Sequence, residues 1–407
     1  MVLNEPNQAS VIDLGHKSYT PNYKPRDIVF RSGSGCHLQD MDGNEYLDLG
    51  SGIGVNSLGH RHPEIVDALN HQASRIWHTS NIYFTEPPVR LASRIIDRTF
   101  AEKIFFCNSG AEANEAAIKV VRKYAYENHA PEKRVIITFE GSFHGRTIAS
   151  VTATAQPKYH EGFGPLPAGF RYCAFNDLDS FRTALKEDVC AVLLEPIQGE
   201  GGIRPFSVDF LTQVRKLCDE NESLLIFDEI QCGMGRTGQL FAYEWAHDVV
   251  PDVVTIAKAL GGGLPIGATL LGSKLNNVLS LGSHGSTFGG NPVCCAVADV
   301  VFKKLSDADF LSRIRTKGEY LVSRLTRLNE CTGFFEEIRG KGLMIGMQIS
   351  QRHGDIAAQV MQSCLEEGLL ILQSGPNVIR LLPALTISDE EINRGVELLE
   401  KALKRHI

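Results

Sequence analysis

LLIFDEIQCGMGRTG (224–238) and PDVVTIAKALGGG (251–263) decide how this chain is read. Leu224 to Phe227 is an apolar, strand-like run that stops at two carboxylates, Asp228 and Glu229. Val253 to Ala257 is a second such run, stopping at Lys258, with a triple glycine at 261–263. Runs that apolar are buried on both faces, as in a parallel sheet, and open α/β sheets bind ligands beyond the carboxyl ends of their strands. Asp228 and Lys258 are therefore expected to face one crevice.

A carboxylate and a lysine in one crevice suit pyridoxal phosphate. The amine holds the aldehyde as a Schiff base, and the acid keeps the pyridine nitrogen protonated. Desolvation or a cationic neighbour makes such an amine nucleophilic. The same two residues also read as a structural ion pair or as solvated loop charges, so other segments must discriminate.

Four of them bear on the choice, and the first two repeat the design. VCAVLLEPIQGEGG (189–202) is a strand ending in Glu195, with Glu200 set between glycines. VIITFEGSFHGRT (135–147) is a strand followed by a polar loop in which Phe143 is placed to stack on a planar ring, with Arg146 beside it as a carboxylate fork. The alternative there is a loop anchor and a surface charge. In CNSGAEANEAAIKVVRKYAYENH (107–129), apolar residues recur at helical spacing, and Ser109 with Glu112 reads as a capping box. The N–H groups of Gly110 and Ala111 would then lie at a helix N-terminus suited to an anion, or simply begin a well-capped helix. GSHGSTFGGNP (282–292) offers the hydroxyls of Ser286 and Thr287 before a helix starting near Pro292.

The flanks read differently. Residues 1–30 carry Pro6, Pro21 and Pro25 with little periodicity and look like an extended arm. HLQDMDGNEYLDLGSG (37–52) is a hairpin about Asp42-Gly43. After about residue 300 come a charged helix (303–330), short strands, a helix stopped by Gly368, and a last helix behind a Ser388/Glu391 capping box. The expected division is an arm at 1–30, a first piece of a small α+β domain at 31–63, a large cofactor-binding α/β domain at 64–300 and the rest of the small domain at 301–407.

Composition narrows the class. The 407 residues carry 41 basic and 48 acidic side chains, for a net charge of −7, which disfavours a nucleic-acid partner. Ten scattered cysteines without a C-x-x-C pair read as reduced thiols, with no metal site expected. With no basic, apolar leader and no run near the roughly eighteen residues of a membrane span, a cytoplasmic protein without a membrane partner is expected.

Taken in order, NSGAEANEAAIK, FHGRT, EPIQGEGG, LLIFDEIQCGMGRTG, AKALGGGLPIGA and GSHGSTFGGNP resemble the class III (ornithine and ω-amino acid) aminotransferases of the fold-type I pyridoxal-phosphate family. The resemblance runs from the YKP segment near Tyr23 to the C-terminal helix. WHTSN, FHGR, GFGPLP and GEGG look most like its acetylornithine and succinylornithine branch. DEI stands where DEV is more usual, an exchange of one apolar residue for another.

The resemblance implies pyridoxal 5'-phosphate as cofactor, with Lys258 as Schiff-base lysine and proton carrier and Asp228 at the pyridinium nitrogen. Gln231 would face the phenolic oxygen, Phe143 would stack on the ring, and Gly110 and Ala111 would bind the phosphate. Thr287 would reach the phosphate of a second subunit, making a homodimer with shared sites. Arg146 would grip a substrate carboxylate, Ser286 and Tyr23 (or Tyr19) would add substrate contacts, and Glu200 would mask and release Arg380. The implied reaction moves the terminal amino group of an N-acylated ornithine to 2-oxoglutarate. Another ω-amine donor (GABA, ornithine or a diamine), or racemase chemistry, is the alternative on the same scaffold.

Overall fold

Seven strands align into one sheet in the computed structural model, which describes residues 7–407. They are β1 (Lys103–Cys107), β2 (Val135–Phe139), β3 (Phe170–Cys173), β4 (Val189–Leu194), β5 (Leu224–Asp228), β6 (Val253–Ile256) and β7 (Gly267–Leu271). Among the described residues their order is β1-β7-β6-β5-β4-β2-β3. β7 runs antiparallel to both neighbours, and the other pairings are parallel. Every residue of β4, β5 and β6 is buried, as their unbroken apolar sequences require.

Register positions the crevice. Phe227 lies beside Leu194 on one side and Val254 on the other, and Asp228 lies beside Thr255. Glu195, Asp228 and Lys258 therefore leave the same edge of the sheet within a few residues of one another. The helix Gly110–Asn128 starts just beyond β1 and crosses the sheet face, packing on β4, β5, β6 and β7. Its buried Ala113, Ala116, Ala117, Val120 and Val121 form the apolar face that drives this docking.

A second unit is antiparallel. Strands Phe335–Lys341, Met344–Ile349, Val378–Leu381 and Leu372–Ser374 pair in that order, with helices Ala308–Thr332, Ala357–Glu366 and Asp389–Leu403 in the same unit. The hairpin His37–Asp40/Glu45–Asp48 forms about Asp42-Gly43 as expected, and Leu47 pairs in parallel with Leu369, which ties the early chain to the late chain.

Three local expectations change. Within the arm, Gln8–Ser18 is a helix rather than extended chain, capped by Asn7, whose side chain accepts from the Ser10 N–H; residues 1–6 lie outside the described part. None of its residues is fully buried, and its partly buried positions, Gln8, Val11, Ile12 and Gly15, are only half apolar, so sequence had little stripe by which to announce it. The charged helix expected at 303–330 begins at Ala308, because Asp307 accepts the Phe310 N–H at 2.8 Å and caps a new helix. The preceding helix, Pro292–Leu305, runs through the expected 300/301 boundary and packs on Pro63–Ala73 and Glu86–Ile96 of the large unit.

The last helix depends on its cap. Ser388 Oγ accepts the Glu391 N–H at 3.1 Å, and Glu391 Oε2 accepts the Ser388 N–H at 2.7 Å. Replacing Ser388 by alanine should cost about 1 kcal/mol of stability, read as a lower urea midpoint at unchanged slope.

Candidate active site

The strand ends open into a crevice of about 480 Å³ lined by Gly110, Phe143, Asp228, Gln231 and Lys258, among others. Asp228 is 3% exposed and accepts three hydrogen bonds. Asn114 Nδ2 and His144 Nδ1 each lie 2.8 Å from Oδ2, and the Ile230 N–H donates to Oδ1 at 3.1 Å. Asn114 is fixed in turn: it donates to the His144 carbonyl at 2.7 Å and accepts from Thr255 Oγ1 at 2.8 Å. A buried carboxylate is tolerated when it is hydrogen-bonded in this way, and these donors hold it in one orientation toward the crevice.

Lys258 follows β6 in a left-handed backbone conformation, φ 42°, which a residue with a Cβ adopts only when its surroundings impose it. Burial pushes its ammonium below the ordinary lysine range; Glu200 and Asp228 oppose that shift, and Arg380 adds to it. The lysine is thus biased toward the neutral, nucleophilic amine.

Three acids near these strand ends have separate fates. Glu195 accepts the N–H groups of Phe143 and Gly199 at 2.9 Å each, and burial raises its carboxyl to about 7, with His144 opposing and Asp228 reinforcing the rise. Glu229, next to Asp228 in sequence, turns away and accepts the N–H groups of Ala242 and Tyr243. Burial raises it to about 8. Glu200 pairs with Arg380 at 2.5 Å; burial works against its charge, yet Arg380 holds its carboxyl below the usual range. Arg380 is 3% exposed, and its Nη1 also donates to the Gly199 carbonyl and to Gln231 Oε1, both at 3.2 Å.

The anion end is equally defined. Ser109 Oγ accepts the Glu112 N–H at 3.2 Å, while Glu112 Oε2 reaches past the cap to the Asn108 N–H. Among the described residues the N–H groups of Gly110 and Ala111 have no acceptor, and both residues line the crevice. Gly145 (φ 137°) brings the Phe143 loop onto this helix end, since a Cβ there would fall 2.5 Å from Ser150 Oγ and 2.9 Å from Ala111 Cβ. Phe143 is half-buried, edge-on to Tyr159, and the exposed Arg146 guanidinium lies 5.4 Å from the Phe143 ring centre and 4.1 Å from that of Tyr159. Free N–H groups, an accessible aromatic face, a fixed carboxylate and an amine of depressed pKa fit a flat, phosphorylated, aldehyde-bearing pyridine.

Not every residue singled out by sequence meets in this crevice. Lys258, Asp228, Gly110, Ala111, Phe143, Gln231, Arg146 and Glu200 line it, and Arg380 stands behind Glu200. Ser286 reaches its edge only through Asn108, whose Nδ2 donates to Ser286 Oγ at 3.0 Å. Thr287 is exposed in a neighbouring groove lined by residues 78–92, and Tyr23 and Tyr19 are 81% and 77% exposed and outside the crevice lining. Asn114, Thr255 and Ser374 escaped the sequence reading. The first two carried a faint signal, as polar residues on an otherwise apolar buried helix face and inside an apolar strand.

The family model Aminotransferase class-III matches residues 18–403. The chain is 50% identical over 401 residues to an acetylornithine aminotransferase of Xanthomonas campestris, covering 98% of each, and 50% identical over 402 residues to one of Xylella fastidiosa, covering 98% of this chain and 97% of that one. Its fold matches the crystal structure of N-acetylornithine aminotransferase from Stenotrophomonas maltophilia with a TM-score of 0.85 at 44% identity, over 97% of this chain and 98% of that one. The ornithine aminotransferase of Toxoplasma gondii matches with a TM-score of 0.94 at 31% identity, over 99% and 96%.

The raised carboxyl of Glu229 has a measurable consequence. The folded state binds this proton more tightly than the unfolded chain, so its contribution to stability is complete below about pH 4.5, is lost as pH rises to about 8, and is constant above. In urea unfolding, the stability of the protein relative to Glu229→Gln should fall between pH 5 and 8 and then level off.

Proposed function

The chain belongs to the class-III aminotransferases, and on that premise we propose that it transfers the terminal amino group of an N-acylated ornithine to 2-oxoglutarate. As a member of that family it uses pyridoxal 5'-phosphate, which when bound supplies an electron sink for charge developing at the reacting substrate carbon. The 50% identity to acetylornithine aminotransferases supports the donor class. The observation that carries the two-substrate reading is the nearly buried Arg380, paired with Glu200 beside the Lys258 crevice.

In this reading Lys258 Nζ would hold the cofactor aldehyde and would carry a proton to and from the substrate carbon; its depressed pKa suits both tasks. Asp228 would hold the ring nitrogen, Phe143 would stack on the ring, and Gln231 would meet the phenolic oxygen. Gly110 and Ala111 would donate their N–H groups to the phosphate. Arg146 grips a donor carboxylate, with Ser286 and Tyr23 as further contacts. Glu200 covers Arg380 while the neutral side of the donor is bound, then yields it to the α-carboxylate of 2-oxoglutarate. The two half-reactions alternate, giving ping-pong kinetics.

The site is shared between two copies of the chain. Trp77, Ile82, Tyr83, Phe84 and Phe288 are exposed beside the groove that holds Thr287, and an apolar patch of that kind marks an interaction surface. A second copy seated there would receive Thr287 at its phosphate. The ten cysteines are all unpaired and most are buried, in keeping with a reducing cytoplasm.

The test is a single-turnover spectrum of the cofactor-loaded protein, mixed separately with acetylornithine, succinylornithine, ornithine and GABA without a keto acid. Fast loss of the cofactor absorbance with an acylated ornithine is expected; a band that survives all four donors overturns the donor class. Lys258→Ala should slow the reaction by at least about 10²-fold. Arg380→Ala should raise the KM for 2-oxoglutarate by about thirtyfold or more, the scale for truncating one partner of a buried charge pair, while the donor half-reaction stays within a few-fold.

A further inference from the structure

The loop that carries Glu200 is gripped from the second unit. Ser374, 1% exposed, ends the strand Leu372–Ser374. Its hydroxyl donates to the Gly199 carbonyl at 2.6 Å and accepts the Gly202 N–H at 2.8 Å, bridging the two sides of Glu200. Behind it, Arg339 donates from Nη2 to the Gly202 carbonyl at 2.7 Å and from Nε to the Gly202 and Ile203 carbonyls at 3.0 and 3.1 Å. The large unit closes the other side: a Cβ on Gly199 would fall 2.2 Å from Gln231 Oε1, and one on Gly201 would fall 2.6 Å from the Gly141 carbonyl. The loop backbone is therefore fixed from both sides. The Glu200 side chain, 25% exposed, is held by other side chains, Arg380 and, at 3.5 Å, Gln231 Nε2, and not by the contacts that fix the backbone.

Ser374 also shares a hairpin with the arginine that Glu200 covers. Ser374 pairs with Val378, and Leu372 pairs with Arg380, across two antiparallel strands. The position of the covering glutamate and that of the covered arginine are thus referred to one piece of sheet.

We propose that Ser374, backed by Arg339, is a positioning residue that sets how firmly Glu200 masks Arg380, and thereby the affinity of the crevice for a carboxylate at that arginine. The proposal rests on the reading of Arg380 as the carboxylate grip. A carboxylate ligand and Glu200 compete for one guanidinium, so whatever aligns Glu200 lowers the apparent affinity of the ligand. Loss of the Ser374 hydroxyl removes one hydrogen bond on each side of Glu200, which loosens its alignment while Arg339 still holds the loop, weakens the mask and strengthens carboxylate binding. A residue that merely supported the fold would weaken binding or leave it unchanged.

The measurement is equilibrium binding of glutarate to the cofactor-loaded protein by calorimetry, since this dicarboxylate has neither an amino nor a keto group and cannot turn over. Ser374→Ala should bind it about fivefold more tightly, the factor that corresponds to one net hydrogen bond of alignment. Ser374→Thr, which keeps the oxygen, should stay near the parent value, and Arg339→Gln should move in the same direction as Ser374→Ala, so the idea remains testable if either variant folds poorly. In a Glu200→Gln background, Ser374→Ala should add nothing, because its effect passes through that carboxylate. Unchanged or weaker binding in Ser374→Ala and Arg339→Gln, or a tightening that persists without Glu200, overturns the proposal. Arg380→Ala separates it from its premise. Binding that survives Arg380→Ala overturns the assignment of Arg380; binding lost there but unmoved by Ser374→Ala overturns the role of Ser374 alone.

Discussion

A single buried carboxylate ties the large unit together. Asp228 ends the central strand β5 with almost no solvent, and an acid so placed needs hydrogen-bond donors to offset its desolvation. Those donors come from the helix beyond β1 (Asn114), the loop after β2 (His144) and the turn after β5 itself (Ile230), while Thr255 of β6 locks Asn114. Strand order, the helix crossing and the loop carrying Phe143 are mutually dependent for this reason. A sheet with another order would leave the carboxylate without those partners.

The same neighbourhood sorts charges by environment rather than by residue type. Asp228 and Glu229 are adjacent in sequence, yet one faces the crevice and the other is sealed under the 241–245 turn, its proton retained to about pH 8. Burial raises Glu195 to about 7 and pushes Lys258 toward its neutral form. Successive side chains point to opposite sides of a strand, so neighbouring acids at a strand end are separated by geometry alone.

The second unit reaches the site through three side chains. Arg380, Arg339 and Ser374 all belong to its antiparallel sheet, and all three hold the Gly199–Ile203 segment of the large unit. The geometry of the Glu200–Arg380 pair is therefore linked to the seating of the two units. In the proposed reaction such a contact would answer a chemical need, since one crevice would have to accept a neutral group in one half-reaction and an anion in the next.

What the sequence determined by itself was local. Unbroken apolar runs ending in Glu195, Asp228 and Lys258, the cap at Ser109, the box at Ser388 and the Asp42-Gly43 turn all depend on neighbours within a few residues, and their pattern could be read directly. The helix at Gln8–Ser18 was hidden because its inner positions, Gln8, Val11, Ile12 and Gly15, are only partly buried and two of them are not apolar, so the hydrophobic pattern is faint. Tertiary structure alone decided that Asn114 would meet Asp228, that Ser374 would bridge Gly199 and Gly202, and that Glu229 would leave the crevice. Those partners lie far apart along the chain, and a polar side chain carries no sign of its distant partner until the sheet order and the packing of the two units bring them within about 3 Å.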